Sequence, residues 1–266
     1  MNQEINSKRL FLGSCFALIA TSVAFAMVGA IMGPIKEVFI LTNEQVGLIG
    51  GAALWGFPIT IVIFGPLCDT LGMRFLMRLA FACQTAGVLL MIFANGFWML
   101  FLGALIIAMG NGLVEAACNP LVATIYPDRK TEMLNKFHVW FPGGIVIGGL
   151  IAFGLDEVGI TSWQLKLAVI IVPTIIYGFI FAGQKFPATE GRQSGISFGM
   201  MFRETIFRPM FLILCFCMML TASLELGPNR WIPAVLTSAG MPGILVLVWI
   251  SILMAIFRYF AGPIVR

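Results

Sequence analysis

Eight long apolar runs decide what this chain can fold into. They cover roughly 10–35, 46–67, 75–94, 97–125, 137–155, 165–186, 209–235 and 243–265. Each is long enough to cross a bilayer core roughly 30 Å thick as a helix. In hydrocarbon every backbone N–H and C=O must be bonded within the segment, which leaves helices as the only reading for runs of this length. Sixty per cent hydrophobic residues, eleven per cent charged and a mean hydropathy of +1.00 exclude an ordinary soluble domain. The predicted fold class is therefore all-α, a polytopic bundle of eight membrane-spanning helices. Ala24-Phe25-Ala26 has the form of a signal-peptide cleavage site, but the apolar stretch runs well past it, so the first run reads as a retained span.

Charge placement orients the bundle. With a cytoplasmic N-terminus, one side holds Lys8, Arg9, Arg74, Arg78, Arg129, Lys130, Lys136, Lys185, Arg192, Arg203, Arg208 and Arg266. The other holds Lys36 and Lys166, and Arg230 and Arg258 fall within spans. Twelve against two is a strong positive-inside bias, which predicts an integral protein of the plasma (inner) membrane with both termini cytoplasmic. The lipid bilayer is thus a partner, and the net charge of +4 calls for no nucleic acid.

The longest polar stretch, 185–208, follows the sixth run and reads as a cytoplasmic connector. Leu41-Thr42 before the second run and Phe64-Gly65-Pro66-Leu67 near its end are echoed by Leu236-Thr237 and Ala261-Gly262-Pro263-Ile264 around the eighth. Spans one and two then correspond to spans seven and eight, with six helices per repeat. The expected division is a six-helix bundle over 1–184, a linker over 185–208, and the first two helices of a second bundle over 209–266.

The fourth run carries a polar stripe. Asn111, Glu115 and Asn119 are four apart and share one helix face. Glu115 lies ten residues before the end of the run, roughly 15 Å at helical rise, close to the bilayer midplane. A carboxylate there costs about 3 kcal/mol or more unless it faces a polar interior or carries a proton. The stripe is either a packing contact or a substrate or ion site, and intramembrane ionisable residues are usually functional. Gly110, Gly112, Ala116 and Ala117 around it allow close helix approach.

Further polar residues stand in other runs. Glu225 and Asn229 are one turn apart, with Gly227-Pro228 between them predicting a broken helix that lines a cavity. Arg230 and Trp231 read as a snorkelling Arg and a belt Trp at the outer surface. For Arg258, a carboxylate partner and the cytoplasmic interface are both open. His138, the one histidine, sits near the end of its run, where interfacial packing and function are both open, and Pro142-Gly143-Gly144 after it permits a kink or a close crossing. The six cysteines fall in or at the ends of apolar runs and read as small packing residues. No metal-ligand spacing, nucleophile–base pair or phosphate loop is present in the sequence, so no enzyme, metal or cofactor is expected.

Gly65-Pro66-Leu67-Cys68-Asp69-Thr70-Leu71-Gly72-Met73-Arg74 resembles the loop between helices two and three of the major facilitator superfamily, Gly-x-x-x-Asp-Arg-x-Gly-Arg-Lys. Gly65, Asp69, Gly72 and Arg74 match, whereas Thr70 and Met73 stand where basic residues are usual. A closer resemblance is to the fucose/galactose:proton symporter family. It rests on Leu41 to Ile49, on Gly112-x-x-Glu115-x-x-x-Asn119-Pro120, on Leu134-Asn135 to His138, on Glu225 with Trp231, and on Phe257 to Gly262.

That resemblance implies alternating-access transport of a sugar or sugar-like solute together with protons. It gives Glu115 and His138 roles in substrate and proton handling, while Gly29-Ala30 stand where the family has a helix-one Asp. It also implies a twelve-helix whole, of which these eight spans would be a C-terminally truncated part. A sensor or partner subunit on the same scaffold, or an exporter of another small solute, are the alternatives.

Overall fold

The computed structural model describes residues 5–193, 195 and 198–264. Its helices are α1 (Ser7–Ala30), α2 (Met32–Val38), α3 (Asn43–Leu71), α4 (Met73–Ile92), α5 (Phe97–Ile125), α6 (Lys130–His138), α7 (Trp140–Glu157), α8 (Trp163–Ala168), α9 (Ile171–Phe181), α10 (Glu190–Gln193), α11 (Phe198–Ile206), α12 (Pro209–Ser238) and α13 (Gly243–Ile264). There is no strand among the described residues. Eight segments are long and apolar enough to span, as the sequence predicts; α6 with α7 and α8 with α9 make one span each.

The breaks have local causes. Pro142 and Pro173 cannot donate to the carbonyls of His138 and Val169, and the helices divide at those points. Gly72, with φ +82, reverses the chain between α3 and α4. The start of α3 is a capping box: Thr42 Oγ1 accepts from Gln45 N–H at 3.2 Å, and Gln45 Oε1 accepts from Thr42 N–H at 3.0 Å.

One expectation is corrected here. The helix does not break at Gly227-Pro228, since α12 runs unbroken through Pro228 and Pro233. One lost N–H donor costs less in an apolar setting than exposing the several backbone groups that a break would free. The connector carries two short helices, α10 and α11. Of the two Leu-Thr pairs, Thr42 caps α3, while Thr237 lies in the last turn of α12, ahead of α13.

Helix α1 is the axis of packing, with 17 buried residues against α7, α9, α5 and α12. Its inner half joins a cluster of Leu10, Leu18, Cys118, Phe137 and Tyr177, and its outer half one of Met27, Ile31, Ile49, Leu100 and Trp163. Helix α5 is clasped between α3 and α4. A Cβ at Gly112 would lie 2.5 Å from Phe57 O, and one at Gly110 would lie 2.9 Å from Gln84 N. The small residues expected to permit close approach are therefore used for it. Gly144 plays the same part against Ser22 of α1. Cys15, Cys68 and Cys118 are buried as expected, but Cys217 is exposed on α12.

Candidate functional site

The clasp on α5 sets the stripe in the protein interior, where Glu115 and Asn111 are each 8% exposed. The stripe divides between two networks. Asn119 Nδ2 donates to Glu115 Oε2 at 2.7 Å, and Asn119 Oδ1 is 3.0 Å from His138 Nε2. Because the amide oxygen can only accept, the histidine carries its hydrogen on Nε2. His138, Asn119 and Glu115 thus form one chain of hydrogen bonds from α6 to the middle of α5.

Asn111 belongs elsewhere. Its Oδ1 accepts from Gln84 Nε2 at 2.8 Å, and Gln84 Oε1 accepts from Tyr177 O–H at 2.8 Å. Thr21 Oγ1 lies 3.5 Å from Gln84 Nε2. This network ties α1, α4, α5 and α9 together, and the sequence reading missed all of it but Asn111. The available signal was a lone amide, Gln84, inside the third apolar run.

Glu225 and Asn229 do not pair with each other. Glu225 Oε1 lies 3.6 Å from Arg258 of α13, which settles the partner of that arginine. The ion pair joins α12 to α13, and the hydrogen-bonded chain joins α5 to α6. Asn229 is buried at 7%. Arg230 is not at the surface: it is 2% exposed, donates from Nη1 to Phe25 O at 3.0 Å, and stands 4.2 Å from the Phe25 ring centroid.

A cavity of about 30 Å³ lined by Thr21, Phe25, Phe57, Asn111, Phe141 and Leu226 adjoins the Gln84 network. A larger one of about 660 Å³ opens between α1 and α12 at Gly29, Ala30, Gly33, Pro233, Ala234 and Thr237. At its rim Lys166, itself 2% exposed, pairs with Asp156 at 2.6 Å.

The loop motif gathers at the other end. Asp69 lies in the last turn of α3, and a Cβ on Gly191 of α10 would come 2.5 Å from its Oδ2. Asp69, Gly72 and Arg74 line a cavity of about 340 Å³ together with Lys185 and Arg192. Basic groups from the connector thus stand near Asp69, although Thr70 and Met73 supply none. Gly65 has nothing within 4 Å of a Cβ position, so it makes no close contact of the kind expected.

Eight apolar spans with buried polar groups between them define a polytopic integral membrane protein. The Major Facilitator Superfamily profile matches residues 11–266, and the chain belongs to that superfamily. It is 27% identical over 154 residues to Monosaccharide-sensing protein 2 of Arabidopsis thaliana, covering 57% of this chain and 21% of that protein. It is 23% identical over 246 residues to the Cis,cis-muconate transport protein of Acinetobacter baylyi, covering 87% of this chain and 58% of that one. The fold matches a crystal structure of a D-xylose-proton symporter with TM-score 0.71 at 14% identity, over 94% of this chain and 67% of the other. The chain therefore spans only part of each.

Proposed function

We propose that the protein moves a sugar or sugar-like solute by alternating access, coupled to protons, in a manner like the fucose/galactose:proton symporter family. The observation that carries this is the His138–Asn119–Glu115 chain of hydrogen bonds, with Glu115 buried in the membrane-spanning bundle. A buried carboxylate linked to a histidine by one amide can gain or lose a proton while its neighbours keep their bonds. Support for the solute class comes from relatives named for monosaccharides and from the fold shared with a xylose–proton symporter. In this reading Glu115, Asn119, His138 and Glu225 handle substrate and proton, Asn111 and Asn229 line the path, and Gly65, Asp69, Gly72 and Arg74 govern the cytoplasmic face.

The same reading divides the chain into a six-helix bundle over 1–184, a connector over 185–208 and the start of a second bundle from 209. It sets both termini on the cytoplasmic side of the plasma membrane. The test is uptake of labelled monosaccharides into proteoliposomes holding the protein, with and without an imposed proton gradient. Accumulation that needs the gradient is expected, and its absence with every monosaccharide overturns the reading. A sensor on the same scaffold is the second reading, favoured by the relative named for monosaccharide sensing. Saturable sugar binding without flux would select it.

A further inference from the structure

Arg230 is a buried cation that the reading above leaves without work. Its bond from Nη1 to Phe25 O is the one hydrogen bond it makes among the described residues, and Nε has no partner. No carboxylate lies within ion-pair distance of it among those residues: Glu225 pairs with Arg258, and Glu115 accepts from Asn119. A carbonyl and a ring face offset part of the desolvation of a guanidinium, but neither cancels its charge.

Its position is as telling as its burial. Phe25, against which it stacks, lines the small cavity beside Asn111, as does Leu226 one turn away on α12. Gly29 and Ala30, one turn beyond Phe25 on α1, line the 660 Å³ cavity with Pro233 and Ala234, one turn beyond Arg230 on α12. The Arg230–Phe25 contact thus falls, along α1 and α12, between the residues that line the two spaces, and the guanidinium itself lines neither. The fixed fork of N–H donors on the guanidinium, with Nε unpartnered, matches a carboxylate in two parallel bonds.

We infer that the solute bears a carboxylate, that it is a sugar acid such as a uronate or aldonate, and that Arg230 recognises the acid group. This rests on the sugar-type reading above and adds the charge. Charge balance agrees with it. Arg230 and Arg258 against Glu115 and Glu225 sum to zero with Glu115 ionised and to one positive charge with Glu115 protonated. His138 serves as a hydrogen donor to Asn119; at the exposed rim Lys166 pairs with Asp156, and Glu37 stands there as well. One proton and one carboxylate together thus leave these four side chains in balance.

The experiment pairs neutral and acidic sugars of one skeleton: D-glucose with D-glucuronate and D-gluconate, and D-galactose with D-galacturonate. Binding to the purified protein is read by ligand-induced shift of Tm, and transport by counterflow in proteoliposomes. The parent should favour at least one acid over its neutral partner by tenfold or more. Arg230→Gln should remove that preference, and Arg230→Lys, which keeps a point charge without the fork, should restore part of it. Arg230→Met fills the space against Phe25 and should keep the unliganded Tm while losing the preference. A parent that prefers neutral sugars, or an Arg230→Gln variant with the parent's discrimination, overturns the inference and leaves the sugar reading standing. Equal loss of Tm in every variant, with discrimination unchanged per folded molecule, overturns it also and makes Arg230 a packing group. Failure of both members of every pair to bind removes the sugar reading and the inference with it.

Discussion

At the scale of the residue, Asn119 is the hinge of the site. It donates to Glu115 and accepts from His138, so one amide sets the geometry of both ionisable groups. Replacing Glu115 by Gln keeps an acceptor for Asn119 but fixes the neutral form. The expected outcome is loss of accumulation driven by a pH gradient with downhill exchange retained. Parent-like accumulation by Glu115→Gln would make Glu115 a packing residue. Replacing Asn119 by Ala removes both bonds at once and strands a buried carboxylate, at a cost of about 1–3 kcal/mol for the unsatisfied acceptor. Its Tm in detergent should therefore fall more than that of Glu115→Gln, which keeps its partner; the reverse order would show that Asn119 carries no such bond.

At the scale of the element, the helices hold by caps and by close approach. Thr42→Ala removes the hydroxyl half of the capping box and should cost about 1 kcal/mol of stability. Gly112→Leu drives a side chain into the backbone of α3 at Phe57 O and should lower Tm sharply, whereas Gly65→Ala meets nothing within 4 Å. Equal effects of the two glycine variants would contradict the clasp around α5.

Such contrasts show what a sequence carries. The eight spans were legible because bilayer thickness imposes a length, and the α5 stripe because helical spacing places Asn111, Glu115 and Asn119 on one face. Which groups each residue meets is a property of neighbouring helices. Asn111 turns to Gln84 and Tyr177, and Arg230 turns inward to Phe25, through crossings that no local pattern encodes. The Gly227-Pro228 pair misled for a related reason: a proline weakens one bond, but the remaining turns of a thirty-residue helix carry α12 through it.

At the scale of the whole molecule, the two cations assigned to the outer side are each engaged by a partner. Lys166 is 2% exposed and paired with Asp156 at 2.6 Å, and Lys36 Nζ donates to Asn43 Oδ1 at 2.6 Å. The opposite end keeps Arg74 and Arg78 exposed on α4, while on α6 Lys136 is exposed and paired with Glu132, and Lys130 is half-buried and paired with Glu190. Basic residues near span ends are held on the cytoplasmic side, so an asymmetry this steep should fix orientation. A reporter inserted within 185–208 should be cytoplasmic, and one inserted at 239–242, between α12 and α13, should be external. Cysteine labelling gives an independent reading: a probe that cannot cross the membrane should reach a cysteine placed at Gly240 from outside and one placed at Gly191 only from within. Because six spans separate the N-terminus from the connector and a seventh separates the connector from Gly240, the two sites must fall on opposite sides. Both sites on one side would remove α12 from the spanning set. Reversal of both would keep the fold and refute the orientation drawn from charge.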